Sequence, residues 1–135
     1  MLTIHTGTNH DAVAVEGDRI AAVADVDALR AAYPGARVRE WPGELRPGVG
    51  WDSTLPQAPS PRERVHALLL RGVTAVAPGS LSDDPGLGPA AARVGLPVGS
   101  PTPLHADVRA DFAVFAPDGS CLATVLGGRL VHRRK

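Results

Sequence analysis

Both ends of this 135-residue chain are β-rich and punctuated by tight turns, and the stretch joining them is short. That arrangement leaves few folds open. At the start, Leu2-Thr3-Ile4-His5, Ala12-Val13-Ala14-Val15 and Arg19-Ile20-Ala21-Ala22-Val23 read as strands, with Glu16-Gly17-Asp18 as a turn. At the end, Ala110-Asp111-Phe112-Ala113-Val114-Phe115, Leu122-Ala123-Thr124-Val125-Leu126 and Arg129-Leu130-Val131-His132 repeat the style around Pro117-Asp118-Gly119 and Gly127-Gly128. A Gly-Gly link between β-rich runs is a hairpin signal, because glycine tolerates the positive φ that primed turns need. Lone hairpins are marginal in water, so the two terminal sets are expected to join in one larger sheet or sandwich.

The middle carries helical signals. Asp25 to Tyr33 reads as a short helix in which either Asp25 or Asp27 caps the N-terminus and Val26, Leu29 and Tyr33 share a face. Pro34-Gly35 ends it, and Arg37-Val38-Arg39-Glu40-Trp41 alternates as a strand. Ser60-Pro61-Arg62-Glu63 combines a capping serine, proline at the first helical position and a capping-box glutamate. It predicts a helix from Pro61 to Arg71 that buries Val65, Leu68 and Leu69, with Gly72 just past its end and a strand over Val73–Ala77. Leu81–Gly88 reads as a loop, Pro89–Val94 as a short helix ended by Gly95, and Gly99–Pro103 as an extended link.

Composition narrows the function classes. Hydrophobic content of 44% suits a globular core, but only five residues are aromatic, so Val, Leu, Ile and Ala must fill it. Fourteen acids balance fourteen bases, which gives no net field for nucleic acid or an anionic membrane. The terminal Arg133-Arg134-Lys135 cluster reads as a solvated end. Cys121 is the single cysteine, so no intramolecular disulfide forms. No stretch approaches 18 uninterrupted apolar residues and Met1–His5 shows no charged leader, so a soluble cytoplasmic protein is expected.

Several motifs, in order, resemble the amidohydrolase superfamily, in the branch of imidazolonepropionase and aminodeoxyfutalosine deaminase. They are Val13 to Val23 and Leu45-Arg46-Pro47-Gly48, then Ala110 to Phe115 and Thr124 to Val131. In that family the terminal segments build a composite β-domain around an inserted metal-bearing (β/α)₈ barrel. The resemblance implies a mainly β, α+β fold: residues 1–48 and 109–135 form the composite β-sandwich, and residues 49–108 form a shortened insert with one α/β unit. It also implies a missing catalytic site. The two positions of the family's His-x-His metal pair fall on Ser53 and Leu55, and neither side chain can replace an imidazole ligand. A barrel takes about 250 residues, while only Trp51 to Val108 lie between the ends.

The remaining chemistry-bearing residues read as structural. His5, a strand-end residue, and His10 beside Asp11 are expected to be solvated, and His66 with Glu63 to form a surface helix pair. His105 and Asp107 precede the Ala110-Asp111 turn, and His132 is expected to face solvent. Asp83-Asp84 reads as turn initiation and Cys121 as a buried small hydrophobe. No catalytic, cofactor or metal residue is assigned, and no cofactor is expected.

The expected function is therefore a non-catalytic composite domain acting as an interaction or small-molecule-binding module, its ligand unspecified. The surface that packs on the barrel in the family is covered either by the insert or by a homodimer or protein partner, with Leu69, Trp41 and Trp51 at such a contact. The alternative is a hydrolase of non-peptide carbon–nitrogen bonds, with a metal site rebuilt from His5, His10, His66 and His105 or supplied by a partner. Its resemblance to aminodeoxyfutalosine deaminase would connect it to menaquinone synthesis.

Overall fold

Alternation of alanine and valine in the first hairpin sets the first layers. The computed structural model describes residues 2–134, so Met1 and the Lys135 of the terminal basic cluster lie outside the described residues. Sheet A has the order β3-β2-β1-β4, built from β1 (Leu2–Thr6), β2 (Ala12–Glu16), β3 (Arg19–Ala24) and β4 (Arg37–Glu40). Successive side chains on a strand point to opposite faces. One face of sheet A therefore carries Val13 and Val15, and the other carries Ala12 and Ala14 with Ile4. The short alanine side chains let helix α1 (Val26–Ala32) lie close, with Leu29 buried and Val26 and Tyr33 packed beside it. Asp25 is the cap, its Oδ1 accepting from the Ala28 N–H at 2.9 Å.

Sheet B has the order β10-β9-β8-β5. The C-terminal half supplies β8 (Phe112–Phe115), β9 (Cys121–Leu126) and β10 (Arg129–Arg133). The fourth strand, β5 (Glu44–Arg46), comes from the N-terminal half and pairs antiparallel with β8. The Leu45-Arg46 motif thus lies on a strand that ties the two ends of the chain together. Phe112, Val114, Ala123 and Val125 meet Val13, Val15, Ile20, Trp41 and Leu45 to fill the space between the sheets. Backbone bonds at the edge of β3, from Ile20 N to Val108 O and Asp107 N to Ile20 O, close one corner of the sandwich. The fold is the mainly β, α+β composite sandwich that the sequence implies.

The insert lies on the other face of sheet B. Strands β6 (Val49–Trp51) and β7 (Val73–Val76) pair in parallel, joined by helix α2 (Pro61–Leu69). Ser60 Oγ accepts from the Glu63 N–H at 3.2 Å, while its hydroxyl donates to Glu63 Oε1. The helix ends two residues short of Arg71 because its last turn tightens: Arg71 N bonds Leu68 O, and Gly72 N bonds Leu69 O. Helix α3 starts earlier than the sequence suggests and runs Leu87–Val94. The preceding turn is fixed by Asp84 Oδ1 accepting from Gly86 N at 2.7 Å, and Leu87 is buried. Pro89 then falls in the first turn, where no backbone donor is needed. The expected loop after Leu81 is likewise shorter, because Pro78–Leu81 forms a 3₁₀ turn.

Val65, Leu68, Leu69, Val73, Val76, Leu87, Ala91 and Leu96 form one core with Leu126 of β9. Two further contacts bind it to sheet B. The Thr124 hydroxyl, fully buried, donates to the Leu69 carbonyl at 2.7 Å. Gly72, at φ +80°, sits so close to Phe115 that a Cβ there would lie 2.6 Å from the ring. The insert therefore covers this face, and Leu69 and Trp41 are buried rather than available to a partner. The reason is the uniformly apolar Phe112–Phe115, which has no face that water can cover.

Thr124→Val keeps the shape but leaves the Leu69 carbonyl with only the Gly72 N–H, and should cost about 0.5–1.5 kcal/mol in urea unfolding. Gly72→Ala should cost at least as much, from the positive φ and the contact with Phe115.

Candidate functional site

Ser53 and Leu55, the positions to which the resemblance assigns a metal pair, lie just beyond β6, in unlike surroundings. Ser53 is exposed, and its hydroxyl donates to Asp52 at 3.5 Å. Leu55 is 1% exposed and belongs to the core of the insert. An apolar, close-packed leucine does not fit a divalent cation.

The histidines are dispersed. His10, His66 and His105 are exposed, with His105 Nδ1 set 2.9 Å from the Ala106 carbonyl. Among the described residues, no three His, Cys, Asp or Glu side chains come together as a metal-holding group.

His5 is not the solvated strand-end residue that the sequence suggests; it is 6% exposed. Its Nδ1 accepts from Trp41 Nε1–H at 3.2 Å, and its ring lies edge-on to Phe112 with centroids 5.1 Å apart. Accepting that bond requires an unprotonated Nδ1. Burial first, then the positive charges of Arg39 and Arg37, push the imidazole down to about 4. His132 also differs from expectation. It is half-buried, its Nε2 has no hydrogen-bond partner, and burial holds its protonation below the usual range.

Two acidic residues gain partners that only the fold reveals. Asp83, read as a turn initiator, pairs with the guanidinium of Arg64, which is 6% exposed and bonds Asp83 Oδ2 at 3.0 Å. Arg64 also donates to the carbonyls of Leu55 and Pro56, so its buried charge is fully engaged. Asp111, from the Ala110-Asp111-Phe112 motif, accepts from Gly127 N at 2.7 Å and pairs with Arg109, which reaches the Gly95 carbonyl at the end of α3. Burial pushes the Asp111 carboxyl up, against the pull of Gly127 and Arg109. The motif thus fastens the β9–β10 turn, a structural duty. Cys121 is buried, its thiol pushed up by desolvation, and it donates to the Ala123 carbonyl.

What remains is a groove of about 620 Å³ between α2 and the edge strand β10. Val94, Leu130 and Val131 supply its apolar surface over the buried Leu69, and Arg62, Glu63, His66 and Arg129 its charged and polar rim. Leu130, 39% exposed, is one of the few large apolar side chains open to water. The amphipathic reading of α2 finds its buried side, but the groove needs β10 brought beside the helix. No local signal marks it.

One family model agrees with the resemblance over a limited span. Residues 12–36, from β2 through α1, match the family described as imidazolonepropionase-like composite domain, bacteria. Among solved structures, guanine deaminase from Bradyrhizobium japonicum is similar at 17% identity and a TM-score of 0.47, over 64% of this chain and 27% of that one. No curated protein matches the sequence. Among the described residues, no helix is long and apolar enough to cross a membrane.

The neutral His5 predicts a pH dependence. Its folded value, about 4, lies below the unfolded value of 6.5, so the unfolded chain binds the extra proton in that window. Its contribution to stability is complete above pH 6.5 and is lost as pH falls to 4, by roughly 3 kcal/mol. The difference between wild type and His5→Gln in urea midpoints across this range measures it.

Proposed function

We propose that this chain is a non-catalytic, amidohydrolase-like composite domain that binds a small organic molecule in the groove between α2 and β10. The observation that carries the reading is the burial of Leu55 in the insert's core, where a barrel enzyme of the family places a metal-binding imidazole. The closure of the insert on sheet B, through Thr124 and Gly72, supports it further, because that face is no longer open to a barrel. The histidines that a rebuilt metal site would need lie on separate elements, and His5 is spent on Trp41.

The groove suits a binding role. Its volume of about 620 Å³ falls within the range of small-molecule sites, which combine apolar walls with a few polar groups. Leu130 and Val131 would take an apolar body, and His66, Arg62 and Arg129 a polar or anionic substituent.

The test is a screen of small organic compounds by protein NMR, with hits expected to shift the resonances of His66, Leu130 and Val131. His66→Ala and Leu130→Ala, both at exposed positions, should weaken a hit roughly five- to tenfold, about 1–1.4 kcal/mol. The same protein supplied with zinc or iron should leave imidazolonepropionate, guanine and aminodeoxyfutalosine unchanged. Turnover of any of them, lost on chelation, would overturn the non-catalytic reading in favour of a carbon–nitrogen hydrolase.

A further inference from the structure

A second recess lies on the other side of β10, and its charge is unbalanced. β1 and β4 are in parallel register, with Thr3 opposite Arg37 and His5 opposite Arg39. Alternation places these four side chains on the same face of sheet A, in line with Val13 and Val15. β4 is the edge of sheet A and β10 the edge of sheet B. Here a recess of about 230 Å³ is lined by Thr3, His5, Arg37, Arg39 and Leu130 and by the backbone turns at Gly17 and Gly128. Any side chain at Gly128 would strike the Gly17 carbonyl, so the two turns meet only because that position is glycine.

Arg133 of β10 brings a third guanidinium. Its Cζ and that of Arg39 each stand 5.6 Å from the centre of the Trp41 ring. Arg19, Arg30, Arg46, Arg64 and Arg109 all have carboxylate partners. Among the described residues eight arginines have none within 4.0 Å, and three of these, Arg37, Arg39 and Arg133, lie at the recess or beside Trp41. Three like charges gathered without a counter-charge repel one another. The effect is felt at Arg39, whose protonation is disfavoured by burial and then by Arg37 and Arg133.

We propose that this recess binds the phosphate group of a small, water-soluble molecule, held by Arg37 and Arg39 with Arg133 contributing from β10. A single carboxylate would be satisfied by one guanidinium fork, whereas a phosphate offers more oxygens and up to two charges to several forks. The Thr3 hydroxyl adds a donor. At about 30 Å³ per water the recess holds roughly eight water molecules, room for a phosphate and part of the molecule that bears it. The balanced charge of the whole chain offers no broad attraction to an anionic bilayer, which favours a soluble ligand.

The probe is inorganic phosphate, titrated into the purified chain in low-salt buffer. Phosphate at ten times its Kd should raise Tm by roughly 4–6 °C and shift the Trp41 indole N–H resonance. Sodium chloride at matched ionic strength should do neither. In Arg37→Gln and Arg39→Gln the phosphate response should fall at least fivefold. In phosphate-free buffer Arg37→Gln should not lower Tm, because it removes a repelled charge, so its loss of response cannot be blamed on unfolding. An equal response to chloride would reduce the effect to screening and overturn the proposal. So would binding that survives both variants, or capture by phosphatidic acid vesicles with no response to soluble phosphate. Hydrolytic turnover would overturn the non-catalytic reading above and leave this titration unaffected.

Discussion

The central strands of sheet B, β8 and β9, are buried on both faces, and the rest of the architecture follows from covering them. Phe112 and Val114 point to sheet A, while Ala113, Phe115 and Thr124 point the other way, and all are buried. Water cannot cover such a strand without losing the burial of several large side chains, each worth about 1.5–3 kcal/mol. Sheet A covers one side. The insert covers the other, and its helix, two-stranded sheet and second helix form a core continuous with Leu126. The chain is thus layered: α1, sheet A, sheet B, then the insert.

Polar groups within these layers act as fasteners. Thr124 binds the end of α2, Asp111 binds the β9–β10 turn, and Arg109 links that turn to the end of α3. Arg64 is buried against two carbonyls and Asp83, holding the segment before α2 to the loop before α3. His5 and Trp41 bind β1 to the residue following β4. Each joins residues distant in sequence, so each fixes where one layer sits on another. Among residues that would be catalytic candidates by type, His5, Asp83, Asp111 and Cys121 are engaged in structure. The two recesses instead flank β10, where an edge strand meets elements from elsewhere in the chain.

Much of this was legible in the chain. The hairpin turns at Gly17 and Gly127-Gly128, the capped helices at Asp25 and Ser60, and the αL glycine at Gly95 depend on local chemistry, and local chemistry is written in consecutive residues. The apolar run Phe112–Phe115 read as a strand, while its burial on both faces is a finding of the fold. Strand β5 was less visible because three residues carry too short a period to read, and its pairing with β8 spans most of the chain.

The sequence by itself determined the local elements, the mainly β composition and the serine and leucine at positions 53 and 55, where the resemblance would put imidazoles. Only the tertiary structure decided that His5 would be a buried acceptor, that Asp83 would neutralise Arg64, and that three arginines would gather without a carboxylate. The reason is physical. Turn, cap and strand preferences act over a few residues, but burial, charge pairing and grooves depend on which distant segments share a volume. That is set by the packing of whole layers, with no signature in the spacing of the residues involved.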